Sequence, residues 1–256
     1  MKDDSRFARI VSLAPSITET LFALGLGNRI VGKTEHCDWP SECSKIATVG
    51  SFNTVAVDDI LSLNPDLVLG TTLHQRLIED MRCKKISAQM IPPQPAYEAP
   101  ESIRLIGTFA GALQASNVLA NKVSDEINTI KNSVARFPSI SVCYLCNIAC
   151  PLWYTCTIAA CVEFLNCRLA GRKRSEQLDI VDSIIADKPQ RIIIPQCAKC
   201  KKTCIDPLLK ESSNLKTYIE TNNVPVVALT SKLLARSGPR AEQALHDLGK
   251  TIFDNF

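Results

Sequence analysis

The apolar positions of this 256-residue chain fall into short runs, and amphipathic stretches separate them from end to end. Residues 8–13, with Ile10, Val11 and Leu13, make the first run, and 29–32, 67–70, 86–91, 139–145, 191–195 and 226–229 repeat it. Short apolar runs bounded by Gly, Pro or Asn predict strands buried on both faces. Between them, helical spacing recurs over 18–24, 57–63, 72–83, 158–169, 180–186, 206–221 and 238–253. Ser16 and Glu19 stand in the relation of a capping box, which predicts a helix N-cap at Ser16. Pro65 and Pro189 stop two of the later helices, because proline cannot continue them. Periodicity is almost unbroken from 102 to 136, and Gly107 and Gly111 divide it in two. The second piece, 115–136, carries Val118, Leu119, Val123, Ile127 and Ile130 on one stripe. A helix of about 22 residues is roughly 33 Å long, enough to join two lobes.

Strands alternating with helices predict an α/β fold of two Rossmann-like lobes with mainly parallel sheets, joined by one long helix. The expected division is a lobe over 1–112, a connecting helix over 113–137 and a second lobe over 138–256. The stretches 57–67 and 181–192 share a form, an acid and apolar pair followed by Pro and a strand. That is an internal repeat across the lobes.

Composition narrows the function classes. With 46% hydrophobic and 21% charged residues the chain buries a core without crosslinks. A net charge of +3 and few aromatics argue against a nucleic-acid partner. No apolar run reaches about 18 residues, which predicts no membrane insertion. The polar N-terminal residues predict a cytoplasmic protein, or a periplasmic one if a signal peptide has been removed. No P-loop, G-x-G-x-x-G, H-E-x-x-H or G-x-S-x-G motif occurs, so nothing here points to an enzyme driven by nucleotide, zinc-protease or serine chemistry.

The cysteines change the picture. Nine of twelve lie between 143 and 204. Cys143, Cys146 and Cys150 form a C-x2-C-x3-C triplet, and Cys197, Cys200 and Cys204 form another. Each triplet follows a predicted strand, and open α/β sheets place ligand sites at the carboxyl ends of strands. If the two strands are neighbours, six thiols converge at one edge. Cys156, Cys161 and Cys167 lie between the triplets and offer further ligands. Thiolates in short runs suit an iron–sulfur cluster, [4Fe–4S] or larger. Zinc or another soft metal, and unliganded or redox thiols, stay open as alternatives. Arg172, Lys173, Arg174, Lys199, Lys201 and Lys202 would offset a cluster's negative charge. Cys37, Cys43 and Cys83 stand apart, and Cys161 also suits a small core residue.

The run Arg9-Ile-Val-Ser-Leu-Ala-Pro-Ser-Ile-Thr-Glu19, with Leu24-Gly25, Val31-Gly32, Cys37-Asp-Trp-Pro40, Val49-Gly50 and Leu63-Asn-Pro-Asp-Leu67, resembles the substrate-binding proteins of vitamin B12 importers, a family that also includes haem and siderophore binders. The likeness continues through Val226–Thr230 and Ser237-Gly-Pro-Arg240. It implies two α/β lobes with a cleft for a small metal-containing ligand, cobalamin or a corrinoid. It implies ligand contacts from Ser16, Cys37, Trp39, Phe52, Thr71, His74, Trp153 and Tyr154. It also implies docking on an ABC permease through one acid per lobe, here Asp58 and Asp182, where the family usually has Glu. Both acids equally suit the first turn of a helix. The cysteine triplets lie outside the family pattern. Three functions therefore stay open: a corrinoid-binding protein that also holds a cluster, a cytoplasmic iron–sulfur reductase with a redox partner, and an ordinary importer binding protein.

Overall fold

A computed structural model of the chain describes residues 7–145, 157–171, 180–195, 212–229, 232–253 and 255–256. Its contacts fall into two units, Met1–Glu126 with Arg236–Ala241, and Ile127–Ala235 with Glu242–Phe256. The division passes through the long helix and takes a six-residue segment near the C-terminus into the first unit.

The first unit holds β1 (Ile10–Ser12), β2 (Ile30–Lys33), β3 (Ala47–Thr48), β4 (Leu67–Thr71) and β5 (Ser87–Ile91), ordered β3-β2-β1-β4-β5. Every pairing is parallel. Its helices are α1 (Pro15–Ala23), α2 (Val57–Ser62), α3 (Gln75–Cys83) and α4 (Ala99–Phe109), and α5 (Leu113–Val134) runs across the division. Successive strand residues point to opposite faces. Accordingly Ile10, Leu67 and Leu69 pack with Ile17, Leu21 and Ile106 from α1 and α4. Val11 and Val68 pack with Ile60, Ile78 and Met81 from α2 and α3. Both faces of the sheet are covered, so its central strands β1 and β4 are largely apolar and buried rather than alternating.

Two local features differ from expectation. The first helix does not start at Ser16. Ala14 is its N-cap, Pro15 occupies the first turn, and no side chain caps it. Proline is suited to that first position, and its ring fixes the start earlier than a Ser16–Glu19 capping box would. Glu19 is therefore released from capping and points inward. The helix ends in a Schellman turn at Gly25 (φ 76°), where the Leu26 N–H donates to the Leu21 carbonyl. Elsewhere, the Asp66 carboxylate accepts the N–H groups of Ala8 (2.8 Å) and Arg9 (3.0 Å), stapling the start of the chain to β4.

The second unit holds β6 (Ser141–Tyr144), β7 (Arg168–Leu169), β8 (Arg191–Pro195) and β9 (Val226–Leu229), ordered β7-β6-β8-β9 and all parallel. Its helices are α6 (Thr157–Phe164), α7 (Ile180–Ala186), α8 (Ser213–Thr221) and α9 (Ala241–Ile252), the last beginning at the division. Residues 206–211 of the helix expected over 206–221 lie outside the described residues.

The helix expected over 158–169 is shorter, and Arg168–Leu169 is instead the edge strand β7. Asn166 adopts φ 61°, and the Cys167 N–H donates to the Val162 carbonyl, so asparagine plays the terminating part usually taken by glycine. In each sheet the first strand has the second on one side and a later one on the other, β2-β1-β4 and β7-β6-β8. The helices α2 and α7 lead into β4 and β8, so 57–67 and 181–192 hold the same place in the two sheets.

Candidate functional site

In the first unit the carboxyl ends of β1, β2 and β4 share one edge, because the strands are parallel. Ser16, Cys37, Trp39 and His74 follow these strand ends within a few residues, Thr71 is the last residue of β4, and Phe52 lies in the short loop after Gly50. Gly50 has φ 119°, and a Cβ there would meet the Thr54 carbonyl oxygen at 2.4 Å, so the loop closes only with glycine.

His74 is buried and fully engaged. The Thr71 N–H donates to Nδ1 (3.1 Å), so Nδ1 is unprotonated and the ring hydrogen sits on Nε2. Nε2 then donates to the Phe52 carbonyl at 2.9 Å. The His74 N–H in turn reaches the Thr71 hydroxyl, a reciprocal cap on the 3-10 turn Thr72–His74. Burial lowers the His74 pKa below its ordinary 6.5. The ring thus packs edge to face with Phe52 at 5.1 Å and 86°, and the His36 ring lies 6.4 Å from that of Phe52. His74 serves the site by fixing Phe52, with neither nitrogen free for a ligand.

Trp39 is the exposed aromatic of this edge, 50% accessible, and Leu73 beside Thr72 is 71% accessible. The Arg240 guanidinium lies over the Trp39 ring at 4.8 Å from its centroid. Arg240 is held from below by Glu19, through Nε to Oε2 (2.9 Å) and Nη2 to Oε1 (2.6 Å). Arg236 donates to the same Oε1 (3.0 Å), to Asp38 Oδ1 (2.5 Å) and to the His36 carbonyl (3.5 Å). The Glu19 side chain is only 3% exposed, and both of its oxygens are engaged by these two cations. Burial works against the Arg236 charge, but hydrogen bonds to Asp38 and Glu19 outweigh it, and its pKa is raised.

Glu19, Asp38, Arg236 and Arg240 were not singled out from sequence as site residues. A signal was present for three of them, in the motifs Ser16–Glu19, Cys37–Pro40 and Ser237–Arg240 that this network joins; Arg236 stands just before the last. Beneath the loop, the Cys37 thiol meets the Thr34 hydroxyl at 3.3 Å, and the Cys43 thiol donates to the Trp39 carbonyl at 3.0 Å. Burial, then the Cys37 thiol nearby, pushes Cys43 up to about 11. Cys83 is exposed.

In the second unit, β6 and β8 are neighbours, with Cys143 level with Ile192 and Tyr144 with Ile193. Chain segments carrying both triplets therefore leave from adjacent strand ends of one sheet. Cys143 itself stands inside β6 rather than after it, fully buried, with its thiol pushed up to about 12 by burial. Cys161 is buried in α6. Cys167, expected in a helix, is buried in the turn before β7, and burial pushes its thiol up to about 11. Among the described residues no group of three His, Cys, Asp or Glu is placed to hold a metal. Cys146, Cys150, Cys156, Cys197, Cys200, Cys204, Trp153 and Tyr154 lie outside the described residues, as do the basic residues 172–174, 199, 201 and 202.

Asp58 and Asp182 are both exposed in the first turns of α2 and α7, the corresponding helices of the two units.

The sequence profile of the periplasmic binding protein family matches residues 10–145. The chain belongs to the periplasmic binding protein family. The ABC transporter substrate-binding lipoprotein YvrC of Bacillus subtilis, itself uncharacterized, is 26% identical over 96% of this chain and 80% of its own length. The vitamin B12-binding protein of Pectobacterium carotovorum is 27% identical over 49% of this chain, which spans only 46% of that relative. Among solved structures, the periplasmic heme-binding protein RhuT of Roseiflexus, in apo form, superposes with a TM-score of 0.78 at 25% identity, over 96% of this chain and 98% of its own. The profile of the periplasmic binding protein family thus covers the whole edge that carries Ser16, Trp39, Phe52, Thr71 and His74. It stops at Leu145, just before the remainder of the first cysteine triplet. No helix among the described residues is long and apolar enough to cross a membrane.

Proposed function

We propose that this chain is the binding protein of an ABC importer and takes a flat, metal-bearing macrocycle of the corrinoid or haem kind. The carrying observation is the half-exposed Trp39 ring at the carboxyl edge of a family sheet, backed by an arginine, with exposed Leu73 after another strand of the same sheet. A flat aromatic and an apolar side chain suit the face of a macrocycle. The relatives named for vitamin B12 and heme support this ligand class. Asp58 and Asp182 are the acids proposed to meet the permease, because they occupy equivalent exposed turns. This reading places the chain with its family outside the cytoplasm. The test is titration with hydroxocobalamin and with haemin, followed by tryptophan quenching and calorimetry. Saturable one-to-one binding of either supports the reading, and Trp39→Ala weakens it. Absence of binding by both refutes it.

A second reading is favoured by the adjacency of β6 and β8. On it, thiolates following the two strands hold an iron–sulfur cluster, with Cys146, Cys150, Cys197, Cys200 and Cys204 as the main ligands and Cys156 as a further one. Cys143 suits this role least, since its thiol is sealed within the strand. A reducing compartment suits such thiolates, and the cytoplasmic placement belongs to this reading. Anaerobic purification with iron and sulfide analysis decides it. Iron and sulfide that disappear together in a Cys197→Ala, Cys200→Ala, Cys204→Ala variant support the cluster, and iron-free wild-type protein rules it out. If the bound cluster also passes electrons to a bound ligand, redox turnover will separate a reductase from a storage or delivery protein.

A further inference from the structure

We infer that Glu19, Arg236 and Arg240 are positioning residues that preset the loop of His36, Asp38 and Trp39 for its ligand; this rests on the reading of Trp39 as a ligand contact. Glu19 is buried on α1, inside the sheet's own helical layer, and is therefore a fixed point. Two guanidinium groups share its carboxylate, and each carries a different part of the loop. Arg236, 12% exposed, grips the loop's backbone and side chain through the His36 carbonyl and the Asp38 carboxylate. Arg240 fixes the plane of the Trp39 ring by lying over one face, which leaves the other face for a ligand.

Planar guanidinium forks give orientation as well as attraction. The Cys43 thiol ties the Trp39 carbonyl from below, so backbone and ring of Trp39 are each held by a separate contact. A loop that must be ordered by its ligand binds more weakly by the fraction of time it spends in the competent arrangement. The network removes that loss in advance.

The gentlest perturbation is Asp38→Asn, since the Asp38 side chain is 55% exposed and its loss of charge leaves Glu19 paired with both arginines. Arg236→Gln is the second variant, because it keeps the two-bond Arg240–Glu19 contact. For quenching both are made in the 256-residue chain carrying Trp153→Phe, where Trp39 is the remaining tryptophan, and for titration in the chain that keeps Trp153. Acrylamide quenching of Trp39 without ligand reads the loop directly. Hydroxocobalamin and haemin titrations read the consequence.

The expected result is a rise in the quenching constant of about twofold and an affinity loss of about tenfold, the latter corresponding to a loop about a tenth in the competent state. Asp38→Glu, which restores a carboxylate, returns both values toward wild type. Unchanged quenching in both variants overturns the inference. Raised quenching with unaltered affinity overturns its link to the ligand. If wild-type protein binds neither macrocycle, the ligand reading fails while the quenching arm still decides whether the network orders the loop.

Discussion

Replacing His74 by Phe tests whether this histidine is structural. The ring shape is kept, but the Thr71 N–H loses its acceptor and the Phe52 carbonyl its donor. A buried polar group left without a partner costs about 1–3 kcal/mol, so the variant should lose about 2–4 kcal/mol in urea unfolding. The pH dependence is the sharper part. Burial depresses the folded-state pKa below the ordinary 6.5, so His74 takes up a proton on unfolding. Between the folded value and 6.5 the unfolded chain binds more protons, and stability rises with pH. The contribution is present above the unfolded pKa and is lost as pH falls through that window. Its slope cannot exceed about 1.4 kcal/mol per pH unit, the full effect of one proton. Protonation would place a hydrogen on Nδ1 against the Thr71 N–H, which is the structural reason for the sign. The assay is urea unfolding of wild type and His74→Phe from pH 7.5 to 5. The wild-type advantage should shrink on acidification, most steeply just below pH 6.5. An advantage that is flat, or that grows as pH falls, refutes the proposed neutral tautomer.

Three further outcomes are expected. Glu19→Gln removes the carboxylate that Arg236 and Arg240 share, leaving Arg236 its Asp38 partner but Arg240 without that carboxylate, and should cost about 3 kcal/mol, measured by urea unfolding; a loss under about 0.5 kcal/mol would contradict the burial of that ion pair. At pH 8 the thiols of Cys43 and Cys167, near 11, are ionised in only about one molecule in a thousand, so peptide mapping after iodoacetamide should find Cys83 modified well before Cys43, Cys143 or Cys167. Asn166→Ala should destabilise by about 1 kcal/mol and Asn166→Gly should not, because only the former is strained at φ 61°; equal melting temperatures would argue against this helix ending.

The strands were legible because a sheet covered on both faces needs apolar residues throughout, and Ile10, Val11, Val68 and Leu69 meet that need within a few residues of sequence. The asparagine-proline turn before β4 was legible for the same local reason. What escaped was long-range. Ser16 and Glu19 have capping-box spacing, yet Pro15 starts the helix two residues sooner and turns Glu19 toward a partner 217 residues away. No periodicity reports a contact at that separation. The edge strand β7 escaped because two residues carry too little pattern, and Asn166 gave a weaker stop than glycine would have. The place of His74 just after β4 was legible by position, but its engagement by Thr71 and Phe52 depends on loop geometry.

The segment Arg236–Ala241 belongs to the unit that begins at the N-terminus. That ownership has a consequence for biosynthesis. While the ribosome is still translating the middle of the chain, α1 and β1–β5 are already available, but the cations that neutralise Glu19 have not yet been made. Until residue 240 emerges, the nascent unit carries an inward-facing carboxylate without its arginines. A fragment ending at Leu145, where the family profile ends, would keep that defect permanently. Supplying a peptide spanning 232–245 in trans should then rescue such a fragment, and the chain's last tenth is in effect the closing step for its first half.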